Sequence, residues 1–152
     1  MEKFDRFIAR IAIYLVVLLM AAGPLGIWYY QKVHIPAQYP AGTKIFDIWA
    51  YGRNGQFTLG KIDGLNYWRG AGGRLDQIVV NKGDTVVIRL NSADVTHSFS
   101  IPELDVNAGF IRPGFITEVE FVADKPGSYA FRCREFCSPA HEAMSARLVV
   151  KE

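Results

Sequence analysis

Twelve residues near the C-terminus hold most of the side chains in this chain that bind soft metal ions. Residues 133–144 read Cys-Arg-Glu-Phe-Cys-Ser-Pro-Ala-His-Glu-Ala-Met and include both cysteines, one of the three histidines and one of the three methionines. Thiolate, imidazole and thioether groups are ligands that copper accepts readily in proteins. The candidate ligands are Cys133, Cys137, His141, Met144 and, far upstream, His97.

Three other interpretations of this segment stay open. The four ligand positions have helical spacing, but Pro139 would break a helix through them, although a single turn is compatible with the sequence. Two cysteines in an exported domain are compatible with a disulfide. Two thiolates with two imidazoles would bind zinc, but zinc gains little from a thioether, whereas cysteine, histidine and methionine together are typical of copper. A site with one copper needs only one cysteine, so the second indicates a binuclear centre.

Short apolar runs of period two, separated by turn signals such as Lys125-Pro126-Gly127, fill the chain beyond residue 43. Many short strands at close intervals predict an antiparallel sandwich or barrel. The ligand segment is then the loop between the last two strands, with Cys133 on the buried side, and His97 follows an earlier strand. Residues 63–73 are glycine-rich and predict a surface loop. The predicted strands are 44–51, 56–59, 78–81, 85–90, 118–121, 129–133 and 147–151.

Residues 11–31 carry no charge. As a helix they would rise about 31 Å, which matches a bilayer core of about 30 Å. Basic residues precede this run and Trp28, Tyr29 and Tyr30 close it, so we expect one membrane span with the N-terminus in the cytoplasm. A signal peptide cleaved near residues 21–23 is the alternative, but the apolar run continues past that point. We predict two domains, residues 1–34 with the cytoplasmic tip and membrane helix, and residues 35–152 as the exported domain.

The charges differ between these two parts. Residues 1–34 carry four basic and two acidic residues, and residues 35–152 carry thirteen of each. A balanced exported domain does not support nucleic-acid binding, nor a strongly acidic docking surface for a cationic partner. Near His97, one interpretation of Asp94 is a turn cap, but the default interpretation is a solvated surface charge.

The pattern Cys-x-Glu-x-Cys-x-x-x-His-x-x-Met, preceded by Asp-Val-x-His-Ser, resembles the CuA domain of cytochrome c oxidase subunit II. The resemblance covers about residues 78–151 and includes Asp124-Lys125-Pro126-Gly127. It implies an all-β, cupredoxin-like Greek-key β-sandwich behind one N-terminal transmembrane helix. A single span and a short chain are closer to B-family haem-copper oxidases than to larger second subunits.

The resemblance also implies a set of metal ligands and a cofactor of two copper ions, the binuclear CuA centre. Both thiolates would bridge the two coppers. The first histidine and the methionine would complete one copper, and the second histidine with the backbone carbonyl of Glu135 would complete the other. Such a site relays single electrons and has no catalytic residue of its own. The implied ligands are His97, Cys133, Glu135, Cys137, His141 and Met144.

By the same resemblance, the chain is the electron-input subunit of a haem-copper oxidase in the cell membrane of a prokaryote, with the copper domain on the outer side. Cytochrome c or a small copper protein would donate electrons, which pass to the haem of catalytic subunit I for oxygen reduction and proton translocation. The lipid bilayer is the other expected partner. A membrane-tethered CuA carrier, a nitric oxide reductase subunit and a copper delivery protein are the alternative functions.

Overall fold

The chain forms two compact units, Met1–Tyr39 and Pro40–Glu152. The domain boundary predicted between residues 34 and 35 adjoins residues 35–38, which lie outside the described residues. The computed structural model describes residues 2–34, 39–62, 64–68 and 73–152.

One helix, α1, runs over Glu2–His34 in the first unit. Its stretch Arg6–Ile27 is long and apolar enough to cross a membrane, and none of it is buried. These 22 residues rise about 33 Å at about 1.5 Å per residue, so they match the thickness of a bilayer core. The helix extends beyond the predicted span at both ends. The side chains of Trp28 and Tyr30, from the predicted aromatic belt, lie outside the described residues.

Short strands make up most of the described part of the second unit. All seven predicted strands are present, and their ends shift by two residues at most. The strands are β1 (Lys44–Tyr51), β2 (Gln56–Leu59), β3 (Gln77–Asn81), β4 (Thr85–Ser92), β5 (His97–Ile101), β6 (Val106–Ile111), β7 (Thr117–Val122), β8 (Gly127–Arg132) and β9 (Ser145–Lys151); a short helix, α2, covers Gly64–Trp68.

The strands form two sheets, with strand orders β2-β1-β4-β7 and β3-β9-β8-β5-β6. The pairs β1–β4 and β3–β9 are parallel, so the prediction of a wholly antiparallel sandwich is wrong. Alternating apolar residues indicate which face of a strand is buried, but they carry no information about the direction of its partner. The prediction failed for that reason.

The core of the second unit includes three aromatic rings. Phe57 lies 6.1 Å from Phe99 and 5.5 Å from Phe131, and the last two are 5.0 Å apart, measured between ring centroids. All three side chains are fully buried. Aromatic pairs at such distances each contribute about 0.5–1.5 kcal/mol beyond the burial of their area. Because Phe131 is two residues before Cys133, this packing fixes the strand end from which the ligand loop leaves.

Two strands and one helix were not predicted. All five residues of β5 are buried, although three are polar, His97, Ser98 and Ser100, so the strand lacks the alternation that sequence reasoning needs. Helix α2 lies within the predicted surface loop, which is therefore wrong over Gly64–Trp68. Residues 63 and 69–72 of that loop lie outside the described residues.

Candidate metal centre

The ligand loop connects two paired strands, and this pairing brings its ends together. Strand β8 ends at Arg132 and β9 begins at Ser145, and these two residues face each other across the antiparallel pair. The next residues inward, Cys133 and Met144, are joined by a hydrogen bond of 3.2 Å from the amide of the first to the carbonyl of the second. Both side chains are buried. The fold therefore places the first thiol beside the thioether.

His97 enters the same region from β5 and is completely buried. Its Nε2 lies 2.9 Å from Asp94 Oδ1, while Asp94 Oδ2 accepts hydrogen bonds from the amides of Gly52, at 2.8 Å, and Arg53, at 3.3 Å. The other ring nitrogen, Nδ1, is buried and has no hydrogen-bond partner among the described residues. A buried polar atom without a partner is costly, and a bound metal ion would satisfy it.

Asp94 is the residue of this site that sequence reasoning missed. The default interpretation of its carboxylate as a solvated surface charge is wrong, because the carboxylate holds the imidazole of His97 in place and accepts hydrogen bonds from three backbone amides, those of Gly52, Arg53 and Val95. In many proteins a metal-binding histidine donates its other ring N–H to a carboxylate, and this hydrogen bond fixes the orientation of the ring. The short spacing of Asp94 and His97 was the available signal.

The two thiols are free and lie close together. Cys133 Sγ and Cys137 Sγ are 3.9 Å apart, and with a ring nitrogen of His97 they form a group whose atoms all lie within 4.8 Å of one another. The amide of Ser98 donates to Cys133 Sγ at 3.4 Å. A sulfur–sulfur bond is about 2.05 Å long, so these thiols are not bonded to each other.

The remaining donors come from the loop itself. Cys137 Sγ is 3.7 Å from His141 Nδ1 and 3.9 Å from Met144 Sδ. The backbone carbonyl of Glu135 lies 3.3 Å from Cys133 Sγ. Between residues 133 and 144 the described helical structure is a single 3-10 turn, His141–Ala143. A continuous helix through the ligand positions is therefore excluded, and the structure brings all six predicted ligand residues into one region.

The two thiols have different pKa values because their burial and their neighbouring groups differ. Burial raises the pKa of Cys133, but the neighbouring His97 ring and the amide of Ser98 outweigh burial and lower that pKa to about 6. Burial and the negative charge of Cys133 raise the pKa of Cys137 to about 11. At neutral pH the first sulfur is a thiolate and the second keeps its proton. A metal ion that binds both sulfurs must therefore displace a proton from Cys137.

Asp94 and His97 stabilise each other's charged forms. Burial raises the pKa of Asp94, but the hydrogen bonds from His97 and from the backbone outweigh burial and lower the pKa to about 2. Burial lowers the pKa of His97, but the Asp94 carboxylate outweighs burial and raises the pKa to about 8. The carboxylate is thus ionised at neutral pH and remains available to orient the ring.

The turn between β1 and β2 packs against this region. A Cβ atom added at Gly52 would lie 3.3 Å from His97 Cε1, and one added at Gly55 would lie 2.0 Å from the carbonyl oxygen of Ala140 in the ligand loop. Gly55 also has φ +57°, which favours glycine. These two glycines permit close approach of the turn to both parts of the site.

The donor set fits copper. Two sulfurs that can both be thiolates, two imidazoles, a thioether and a carbonyl lie within one small region, and a thioether beside a thiol suits copper better than zinc. A ring nitrogen of His97 belongs to this group.

Known proteins with similar sequences and structures have the strand-rich fold described above. Residues 73–152 match the family model for the periplasmic domain of cytochrome c oxidase subunit II. Cytochrome c oxidase subunit 2 of Thermus thermophilus is 32% identical over 75 residues, which are 49% of this chain and 55% of that protein. Nitrous-oxide reductase of Ralstonia nicotianae is 36% identical over 81 residues, 51% of this chain and 12% of that protein.

A solved chain of a haem-copper terminal oxidase dimer has the same fold, with a TM-score of 0.57 and 22% identity over 93% of this chain and 98% of the other. The predicted cupredoxin-like fold is confirmed. The chain spans about half the length of the Thermus relative. The family model covers more than half of the chain, and the protein belongs to the family of the periplasmic domain of cytochrome c oxidase subunit II.

Proposed function

We propose that this chain is the electron-input subunit of a haem-copper oxidase and that the region around the two thiols holds a binuclear copper centre. The observation that carries the proposal is the convergence of two free thiols with a ring nitrogen of His97, within 4.8 Å, in a chain of this family. Two buried groups and one half-buried thiol in this arrangement have no evident structural role without a metal ion.

The proposed ligands follow the distances between donors. The sulfurs of Cys133 and Cys137, 3.9 Å apart, would bridge two copper ions. His97 and Met144 would complete one copper, and His141 with the carbonyl of Glu135 the other. When bound, such a centre supplies one-electron transfer at a site with little change of geometry between its oxidised and reduced states.

The protein keeps that geometry fixed through its own contacts. Asp94 holds the Nε2 atom of His97. A backbone hydrogen bond from Cys133 to Met144 closes the loop, and the amide of Ser98 donates to the sulfur of Cys133. Donors that cannot move keep the reorganisation energy of electron transfer small, which is the requirement for a fast relay. The structure of the pocket is therefore suited to electron transfer rather than to bond-breaking chemistry.

The proposed assembly follows from the family. Helix α1 would anchor the chain in the cell membrane of a prokaryote with its N-terminus in the cytoplasm, and the sandwich would lie on the outer side. Cytochrome c or a small copper protein would give up an electron there. The electron would then pass to the haem of the catalytic subunit, which reduces oxygen.

Affinity purification of the full chain from its native membranes tests this function. We expect a large haem-bearing subunit to co-purify and the complex to consume oxygen with a reduced soluble electron donor. Oxygen consumption should stop when Cys137 is replaced by serine, while the haem subunit still co-purifies. Recovery of the chain without any haem protein would instead indicate a tethered carrier, and nitric oxide reduction without oxygen consumption would indicate the reductase.

A further inference from the structure

A groove with three arginines crosses the outer face of the five-stranded sheet. Its volume is about 470 Å³, and it is lined from strands β3, β8 and β9 and from the segment that precedes β3. Asp76 supplies the only carboxylate among the described lining residues. The arginines are Arg74, Arg132 and Arg147.

The register of β8 and β9 explains how the groove forms. Arg132 faces Ser145, and Arg147 faces Ala130. The two arginines are therefore diagonal neighbours, which lie about 7–8 Å apart in an antiparallel pair. The small side chains of Ala130 and Ser145 occupy the other diagonal, and both residues line the groove.

None of the three arginines pairs with a carboxylate in the part of the chain that the structure describes. Arg147 donates to Ser128 Oγ at 3.1 Å, and Arg74 donates to the backbone carbonyls of Ala143 and Ser145. Arg132 is exposed and has no ion-pair partner there. In a domain with equal numbers of acidic and basic residues, this cluster concentrates positive charge on one face.

The groove adjoins the proposed copper site. A smaller cavity of about 150 Å³ shares Arg132 and Ser145 with the groove, and its other lining residues are Cys133, His141, Glu142 and Met144. An anionic group held in the groove therefore lies beside the ligand loop. Guanidinium groups bind carboxylates through paired hydrogen bonds, so the groove is suited to a surface rich in aspartate and glutamate.

We propose that the arginine groove is the docking surface for a soluble electron donor that presents carboxylates next to its redox centre. This inference rests on the proposed function, since it names the chemical class of the donor. It also sets a direction of charge: acidic donors bind here and strongly basic ones do not. Complementary charge accelerates the encounter of such partners and orients them.

The test measures binding of two forms of one probe to the full chain in phosphatidylcholine nanodiscs. The probes are a basic cytochrome c and the same protein succinylated on its lysines, which exchanges ammonium groups for carboxylates. We expect the succinylated form to bind more tightly, and salt to weaken that binding. The double variant Arg132→Gln/Arg147→Gln should weaken it about tenfold.

The matched control is the double variant Lys125→Gln/Lys151→Gln, which removes the same charge at the far ends of β8 and β9 and should change affinity by less than about twofold. The charge reversal Arg132→Glu/Arg147→Glu should strengthen binding of the unmodified basic probe, a gain that misfolding cannot produce. Equal losses in both glutamine variants, or tighter binding of the basic probe to the unsubstituted chain, would overturn the docking proposal.

The binding measurement needs no electron transfer, so it separates this proposal from the proposed function. If the chain does not bind copper but still prefers the acidic probe, the proposed function is contradicted and the docking proposal stands. The same measurement in phosphatidylglycerol nanodiscs tests whether the groove binds lipid phosphate instead. If this lipid abolishes binding of the succinylated probe to the unsubstituted chain but does not change probe binding to the Arg132→Gln/Arg147→Gln variant, the groove binds lipid phosphate and the protein-docking proposal is overturned.

Discussion

The two histidines of the proposed copper site have opposite surroundings. His97 is fully buried at the start of a strand; one ring nitrogen is held by Asp94, and the other has no hydrogen-bond partner among the described residues. His141 lies in a 3-10 turn of the ligand loop, is only half-buried, and is 6.1 Å from the ring of Phe136, which is 81% exposed. One histidine is part of the core, and the other is part of the surface.

This difference suggests a division of labour within one site. The strand-held half, with His97, Cys133 and Met144, is rigid because its side chains are packed in the core. The loop-held half, with His141 and Cys137, is close to solvent and hence within reach of a partner. A relay needs both properties, since a stiff centre limits reorganisation and an exposed edge shortens the distance to the donor.

The largest expected effect is that of His97→Ala. It should lower the free energy of unfolding of the metal-free protein by about 3 kcal/mol, because it leaves a buried cavity and takes the imidazole partner from the half-buried Asp94 carboxylate. His141→Ala should cost less than about 1 kcal/mol. Urea unfolding of both variants checks this ranking, and equal costs would show that the two halves do not differ as described.

Gly55→Ala should disturb the loop-held half through its neighbour. The added Cβ would meet the Ala140 carbonyl at 2.0 Å in a backbone with φ +57°, so we expect a loss of about 2–3 kcal/mol and weaker copper binding. Gly60→Ala is the control, because Gly60 also has positive φ, +76°, but nothing lies within 4 Å of the added atom. It should lose only about 1 kcal/mol. Similar unfolding curves for the two variants would refute a specific clash.

Asp94→Asn should weaken the strand-held half without removing a ligand. The amide keeps the size of the carboxylate but not its charge, and loss of such a partner lowers metal affinity about 10–100-fold. Competition for copper with a chelator measures the change. Asp105→Asn, at an exposed position after β5, is the control and should leave affinity unaltered. Unchanged copper affinity of the Asp94→Asn variant would show that Asp94 does not support copper binding.

Met144→Leu should lower the free energy of unfolding by less than about 1.5 kcal/mol, because the volume of the buried side chain is nearly preserved. It removes a donor that stabilises the oxidised state more than the reduced state, so the reduction potential of the copper-loaded chain should rise. Redox titration checks the direction. A potential that stays constant would mean that the thioether is not a ligand.

The sequence allowed prediction of the strand-rich domain and of five candidate ligands, because soft ligands are rare in this chain and their spacing is distinctive. The sixth, the carbonyl of Glu135, came only from the family resemblance. It did not allow prediction of β5, since three of its five buried residues are polar and serve the site rather than the core pattern. The role of Asp94 was missed for a related reason. Its contacts with Gly52 and Arg53 connect residues about forty positions apart, and local sequence carries no record of such contacts.

The parallel pairing of β3 with β9 could not be predicted from the sequence either. Gln77 and Arg147 are register partners from distant parts of the chain. That pairing creates one wall of the arginine groove. The proposed docking surface therefore depends on which strands are neighbours, and no local sequence motif predicts it.

The most direct test of the account is an electron paramagnetic resonance spectrum of the full chain loaded with copper, with copper counted per chain. Two copper nuclei of spin 3/2 that share one unpaired electron equally give a seven-line hyperfine pattern. We predict that pattern at about two coppers per chain. A four-line pattern at one copper per chain, or no signal with an oxidised pair of cysteines, would contradict the binuclear centre.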